Sequence, residues 1–318
     1  MKSLNGAELA GFIKERQAHQ VKSLPATPKL LILRDSDNPV ITKYVNLKKQ
    51  YGKDIGVEVI DVCTNVSLRS SGAWQGEDER AAPVTTGQRD EEQPNLFGCP
   101  SEAVPSSQTG GGDALREEIV RANNNPSING IIIQLPLLDK SLTDKLCNLI
   151  APSKDVDGLG EHASFESATA TAINWLLAGY DIKLQGKKIA LVGRGKLVGA
   201  PLYKMFTNSG YDVELFHRGS DLTKLRQFDI IISATGKPGL ISDSMVKPGA
   251  ILIDAGTASE NGVLKGDLAP EIRKRTDLAA ITPITGGVGP LTITCLFDHV
   301  IQSYLHQNPA TRIPKSSH

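Results

Sequence analysis

The chain has 318 residues, 35 of them basic and 35 acidic, so its formal net charge at neutral pH is zero. That balance removes the long-range field by which proteins attract nucleic acid or an acidic membrane surface, and it points to a small-molecule partner. With 40% hydrophobic residues over this length, a large core can be buried, and two domains are expected rather than one.

From its start, the stretch MKSLNGAELAGFIKERQAHQ sets Leu4, Leu9, Phe12 and Ile13 at helical spacing among charges, and it lacks the apolar centre of a signal peptide. No run reaches membrane-spanning length, so a cytoplasmic protein without a membrane partner is expected. Short apolar runs then alternate with amphipathic stretches. Strands are predicted over 29–34, 56–62, 128–135, 187–193, 212–217, 229–234 and 250–255, with helices between them. This is the pattern of an α/β protein with mostly parallel sheet. Residues 68–112 break the rhythm with Ser, Gly, Pro and charge, and Trp74, Leu96 and Phe97 are widely spaced within them, so a disordered insertion is predicted. Cys63, Cys99, Cys147 and Cys295 form no CxxC pair and have no nearby histidines, so neither a metal site nor a disulfide framework is indicated.

Asn38 and Pro39 open a predicted helix on which Tyr44 and Lys48, four residues apart, share a face. A lysine that is partly desolvated can exchange protons near neutrality, although the pair also reads as a solvated lysine beside a half-buried tyrosine. Gln134 ends the apolar strand of IIIQLPLL, where its amide must find a partner, and Lys48 is a candidate. KDVDG, residues 154–158, follows at the apparent domain junction. Asp157 there reads either as a ligand for adjacent N–H donors or as a turn aspartate.

KKIALVGRGKLVGAP is a strand, a glycine turn and a helix start, in which Gly193, Arg194, Gly195, Val198 and Gly199 are candidates for a pyrophosphate site. The spacing is one residue longer than the usual dinucleotide fingerprint. The next strand ends at His217 and Arg218, cations that suit a 2′-phosphate, so NADP is favoured and NAD stays open. Thr235 and Gly236 of SATGKPGL, with Gly256 and Thr257 of DAGTASENG, follow later strands and would line the same crevice. Last comes TPITGGVGPLT, whose Pro283, Gly286, Gly287, Val288, Gly289 and Pro290 form a loop richer in special backbone positions than a connection needs.

The segments YVNLK, QLPLL, KDVDG, GRGKLVGAP, TGKPG and TPITGGVGPLT, in this order, resemble the methylenetetrahydrofolate dehydrogenase/cyclohydrolase family. The resemblance implies an enzyme that oxidises 5,10-methylenetetrahydrofolate with NADP and hydrolyses the product to 10-formyltetrahydrofolate. It implies that Lys48 manages proton transfer, Tyr44 packs on the folate, Gln134 tunes the lysine and Asp157 binds the pterin ring. The loop at 282–292 becomes a wall between folate and nicotinamide, with Gly286, Gly287 and Gly289 allowing their close approach. A folate domain over 1–155 with a returning helix over 290–307, a Rossmann-like domain over 156–285 and a homodimer are also implied. The sequence departs from the family pattern at Ile41, where serine is usual, at Thr285, at Gly195 and at Ala168-Thr169-Ala170. The residues also fit another two-domain NAD(P) dehydrogenase, or a non-catalytic homologue that binds folate and NADP.

Overall fold

The computed structural model describes residues 1–64, 111–260 and 263–309. In chain order the elements begin with β1 (Lys2–Ser3), α1 (Gly6–Lys22), β2 (Lys29–Arg34), α2 (Pro39–Ile55), β3 (Glu58–Cys63), α3 (Gly111–Asn123), β4 (Gly130–Ile133) and α4 (Thr143–Cys147). They continue with α5 (Ala168–Gly179), β5 (Lys188–Val192), α6 (Gly199–Asn208), β6 (Asp212–Phe216), β7 (Ile230–Ser233) and β8 (Ile251–Asp254). β9 (Thr257–Glu260), β10 (Val263–Gly266), β11 (Ala280–Ile281) and α7 (Val288–Gln307) complete the chain. The predicted insertion at 68–112 lies outside the described residues except for its last two, which open α3.

Two parallel sheets result. β3, β2 and β4 form the first, and the second runs β1-β11-β8-β7-β5-β6. Because strand side chains alternate between faces, each sheet separates two apolar layers. Leu30, Ile32 and Ile132 of the first sheet, and Ile189, Leu191, Ile230, Ile232 and Ile253 of the second, face one shared core. Residues of α1, α5 and α7 fill that core, among them Ala10, Val21, Ile173, Leu176, Leu291, Phe297 and Val300. Leu31, Leu33, Ile131 and Ile133 point the other way, towards α3 and α4, while Ala190, Val192, Ile231 and Leu252 face a separate layer. The two sheets are therefore held by the helices between them, which fixes their carboxyl edges relative to one another.

Two features depart from the sequence reading. The first residues of the chain belong to the second sheet, because Lys2 and Ser3 pair with Ala280 and Ile281. A two-residue strand has too little periodicity to be seen in sequence. The segment read as a glycine turn after β8 is instead an antiparallel hairpin of β9 and β10. Asn261-Gly262 stands between these strands in the sequence and is a strong hairpin signal that the glycine-turn reading passed over.

Candidate active site

The side-chain oxygen of Asn38 accepts the Val40 N–H at 2.8 Å, and Pro39 sits in the first turn, so α2 starts where the sequence predicts. Its spacing then carries Tyr44 and Lys48 on one face. Lys48 Nζ donates to Gln134 Oε1 at 2.7 Å, while Gln134 Nε2 donates to the Leu135 carbonyl. Gln134 is thereby committed as a neutral acceptor towards the lysine. Burial lowers the Lys48 pKa to about 8, opposed by the charge of Asp157. Asp157 is in turn pushed up to about 6 by burial, against the opposing pull of Lys48. Burial holds the Tyr44 hydroxyl well above its usual range, so it stays a neutral phenol. A lysine and a carboxylate whose pKa values burial moves towards neutrality, next to an amide, have the chemistry that proton transfer requires.

KDVDG divides its labour. Lys154 is buried and donates to the carbonyls of Ala122, Asn123 and Asn125, which closes the carboxyl end of α3. Asp155 accepts the N–H groups of Gly158, Leu159 and Gly160 and so shapes the loop. The Asp157 carbonyl accepts the Ala168 N–H at the start of α5. Of the two acids, only Asp157 has its carboxylate coupled to Lys48.

In the second sheet the candidate turns lie at the carboxyl ends of β5, β6, β7 and β8, the edge where α/β proteins bind ligands. Gly193 has φ of 112°, and an added Cβ would lie 2.7 Å from the Ala234 carbonyl oxygen. At Gly199 an added Cβ would meet the Gly193 carbonyl oxygen at 1.9 Å, so both glycines are required by the turn itself. Gly195 differs: a Cβ there would meet no protein atom within 4 Å, so its face is open to a ligand. Arg194, His217 and Arg218 are exposed, and among the described residues no carboxylate pairs with either guanidinium. The turn is docked on its surroundings by Ser167 Oγ, which donates to the Leu197 carbonyl at 2.8 Å, and by an ion pair of Lys196 with Asp144 on α4.

Three sequence-predicted residues also have structural surroundings of their own. Val198 is buried in the shared core, so its side chain is packing and only its backbone borders the turn. Gly256 is explained by a protein contact, since a Cβ would lie 2.1 Å from Asp267 Oδ2. For Thr257, the backbone opens β9. The loop at 282–292 also has a protein neighbour, because the Ala7 N–H donates to the Gly286 carbonyl and a Cβ on Gly6 would strike the Gly287 carbonyl oxygen at 1.9 Å. Gly286 has φ of 78° and Gly287 precedes α7, while Val288, Gly289 and Pro290 form its first turn. Part of the glycine content thus serves backbone packing on α1 rather than a ligand.

Residues 88–157 match the catalytic domain of tetrahydrofolate dehydrogenase/cyclohydrolase, and residues 167–308 match its NAD(P)-binding domain. The bifunctional protein FolD of Staphylococcus carnosus is 32% identical over 94% of this chain and 95% of its own. The chain belongs to this family. Among solved structures, the FolD methylenetetrahydrofolate dehydrogenase/cyclohydrolase of Campylobacter jejuni is 28% identical, with a TM-score of 0.77 over 96% of this chain and 99% of its own. A 5,10-methylenetetrahydrofolate dehydrogenase from the silkworm Bombyx mori, also 28% identical, has a TM-score of 0.75 over 97% of this chain and 99% of its own.

Against the pattern of the tetrahydrofolate dehydrogenase/cyclohydrolase family, several departures resolve into packing. Ile41, Ala168 and Ala170 are buried in the shared core, and Thr169 is buried beside them, whereas Thr285 is exposed. A buried carboxylate cluster escaped sequence reading altogether. Asp254 Oδ2 accepts Arg273 Nη2 at 2.7 Å and the Leu268 N–H, and Arg273 Nη1 donates to the Thr282 carbonyl at 2.8 Å. Burial, reinforced by Asp267, pushes Asp254 up to about 6 despite Arg273. No motif links residues 254, 267 and 273; the aspartate ending β8 was the one available hint. Among the described residues no three His, Cys, Asp or Glu side chains are grouped to hold a metal, and no helix is long and apolar enough to cross a membrane. Cys63, Cys147 and Cys295 form no disulfide.

Proposed function

We propose that this chain oxidises 5,10-methylenetetrahydrofolate with NADP and hydrolyses the resulting methenyl cation to 10-formyltetrahydrofolate. The 2.7 Å bond between Lys48 and Gln134, in a site where burial brings the amine's pKa down to about 8 and the lysine faces Asp157, carries the reading. A neutral amine tolerates a cationic substrate that an ammonium would repel. In the hydrolytic step water adds to the amidinium carbon and Lys48 Nζ takes the proton it loses. The bond from that carbon to N5 then breaks as N5 takes that proton from Lys48, and the remaining hydroxyl proton passes to solvent as the oxygen becomes the formyl carbonyl. Tyr44 offers the flat face for the folate, Gln134 fixes the amine by a single neutral bond, and Asp157 accepts from the pterin.

The residues at the second sheet's edge fit NADP. Gly195 leaves an open backbone face in the turn before α6, and the exposed Arg194 and Arg218 guanidiniums, with the His217 imidazole, offer donors to a 2′-phosphate. Bound there, NADP would supply the hydride acceptor. Thr235, Gly236, Gly256 and Thr257 would border it through their turns, and Pro283 with Gly286, Gly287, Val288, Gly289 and Pro290 would border the folate. The same reading makes the enzyme cytoplasmic and homodimeric, to be measured by cell fractionation and sedimentation.

Methylenetetrahydrofolate supplied with NADP and with NAD in parallel tests the reading, by following reduced nicotinamide and the formyl product separately. Reduction preferring NADP, with formyl product accumulating, is the expected result. Reduction without formyl product would remove the role given to Lys48.

A further inference from the structure

The carboxylate of Asp267 has no accessible surface, yet it accepts three hydrogen bonds from the end of β7 and the turn after it. Its Oδ2 takes the Ser233 hydroxyl at 2.6 Å and the Thr235 N–H at 2.7 Å, and its Oδ1 takes the Lys237 N–H at 2.8 Å. Its own N–H donates to the Gly256 carbonyl and to Asp254 Oδ1, and its carbonyl accepts from the Ile241 N–H. Asp254 extends the system through Arg273 to Thr282, the first residue of the loop before α7. The residues after β7, β8 and β11 are thus tied to one buried cluster, although they come from separate parts of the chain. Apolar side chains would pack these strands at less desolvation cost; what the carboxylate adds is a fixed direction for the N–H groups of the β7 turn.

We propose that Asp267 is a positioning residue for the nicotinamide nucleotide, holding the turns after β7 and β8 in the conformation that receives it. The proposal rests on the cofactor assignment made above but not on the folate assignment. The neighbouring glycine supports it. Gly256 lies against this carboxylate so closely that a Cβ would come within 2.1 Å of Oδ2, so the backbone of the β8 turn and the acid of the hairpin base are fitted to each other.

Asp267→Asn keeps the shape but presents one acceptor oxygen where three donors converge. Calorimetric titration with NADP alone should show affinity falling about tenfold, with the dehydrogenase KM for NADP rising in step. Hydrolysis of methenyltetrahydrofolate, which needs no cofactor and is assigned to the first sheet's edge, should stay within about twofold. Gly256→Ala must displace the carboxylate and should give the same loss, and the double variant should be no worse than either single one. Unchanged NADP affinity in Asp267→Asn would overturn the proposal, as would additive losses in the double variant. A parallel fall of NADP affinity, hydrolysis and melting temperature would also overturn it, because the carboxylate would then serve general stability. Binding is read directly, so an enzyme that binds NADP but does not turn over folate would defeat the substrate assignment while still deciding this one.

Discussion

The carboxyl edges of the two sheets handle buried charge in opposite ways. At the first, Lys48 has a neutral amide as its bonded partner, and it faces an acid whose own ionisation burial opposes, so both groups titrate near neutrality. At the second, Asp267 and Asp254 are surrounded by N–H, hydroxyl and guanidinium donors that hold backbone turns in place. Burial pushes Asp254 up to about 6 as it does Asp157, so the difference lies in the bonds: few leave a group able to reach a ligand, while many make it part of the frame. The same physical quantity, burial of a polar group, thus meets few bonds in one place and many in another.

The sharpest way to break this contrast is to remove the poised amine. Lys48→Met should lower methenyltetrahydrofolate hydrolysis about 10³-fold, the scale of a lost general base, while NADP affinity changes less than about twofold. Equal loss of NADP binding would show that the lysine supports the frame instead. Arg218→Ala should weaken NADP about 30-fold and leave NAD within about twofold, since only a 2′-phosphate would meet that guanidinium; equal changes for both would withdraw its assignment. A subtler test concerns the coupling of Lys48 and Asp157. Hydrolysis needs the neutral amine, so its rate should rise with pH through an inflection near 8. The Asp157 carboxylate stabilises the ammonium, so Asp157→Asn should move that inflection to lower pH, and a move upward would show that the two groups do not face each other as described.

Much of the first edge was legible in sequence, because its signals are local. The Asn38-Pro39 cap, the four-residue spacing of Tyr44 and Lys48 and the apolar run before Gln134 each belong to one element or its flanking residue. Their meeting follows once the helix is laid beside the strand. The second edge was legible only in part. Gly193 and Gly199 could be read from a turn, but the contact of Gly256 with Asp267 and the burial of Val198 in the core could not. Both were hidden because a glycine or valine beside a turn looks the same in sequence whatever occupies the space above it.

Sequence alone determined the periodic elements, the cap of α2 and the chemistry-bearing residues within single segments, because those depend on neighbours a few positions apart. The tertiary structure decided which distant segments touch: β1 beside β11, Gly6 against Gly287, and Asp267 between the turns after β7 and β8. Such contacts depend on close approach of backbones and on buried donors finding acceptors far along the chain, and neither leaves a period in the sequence.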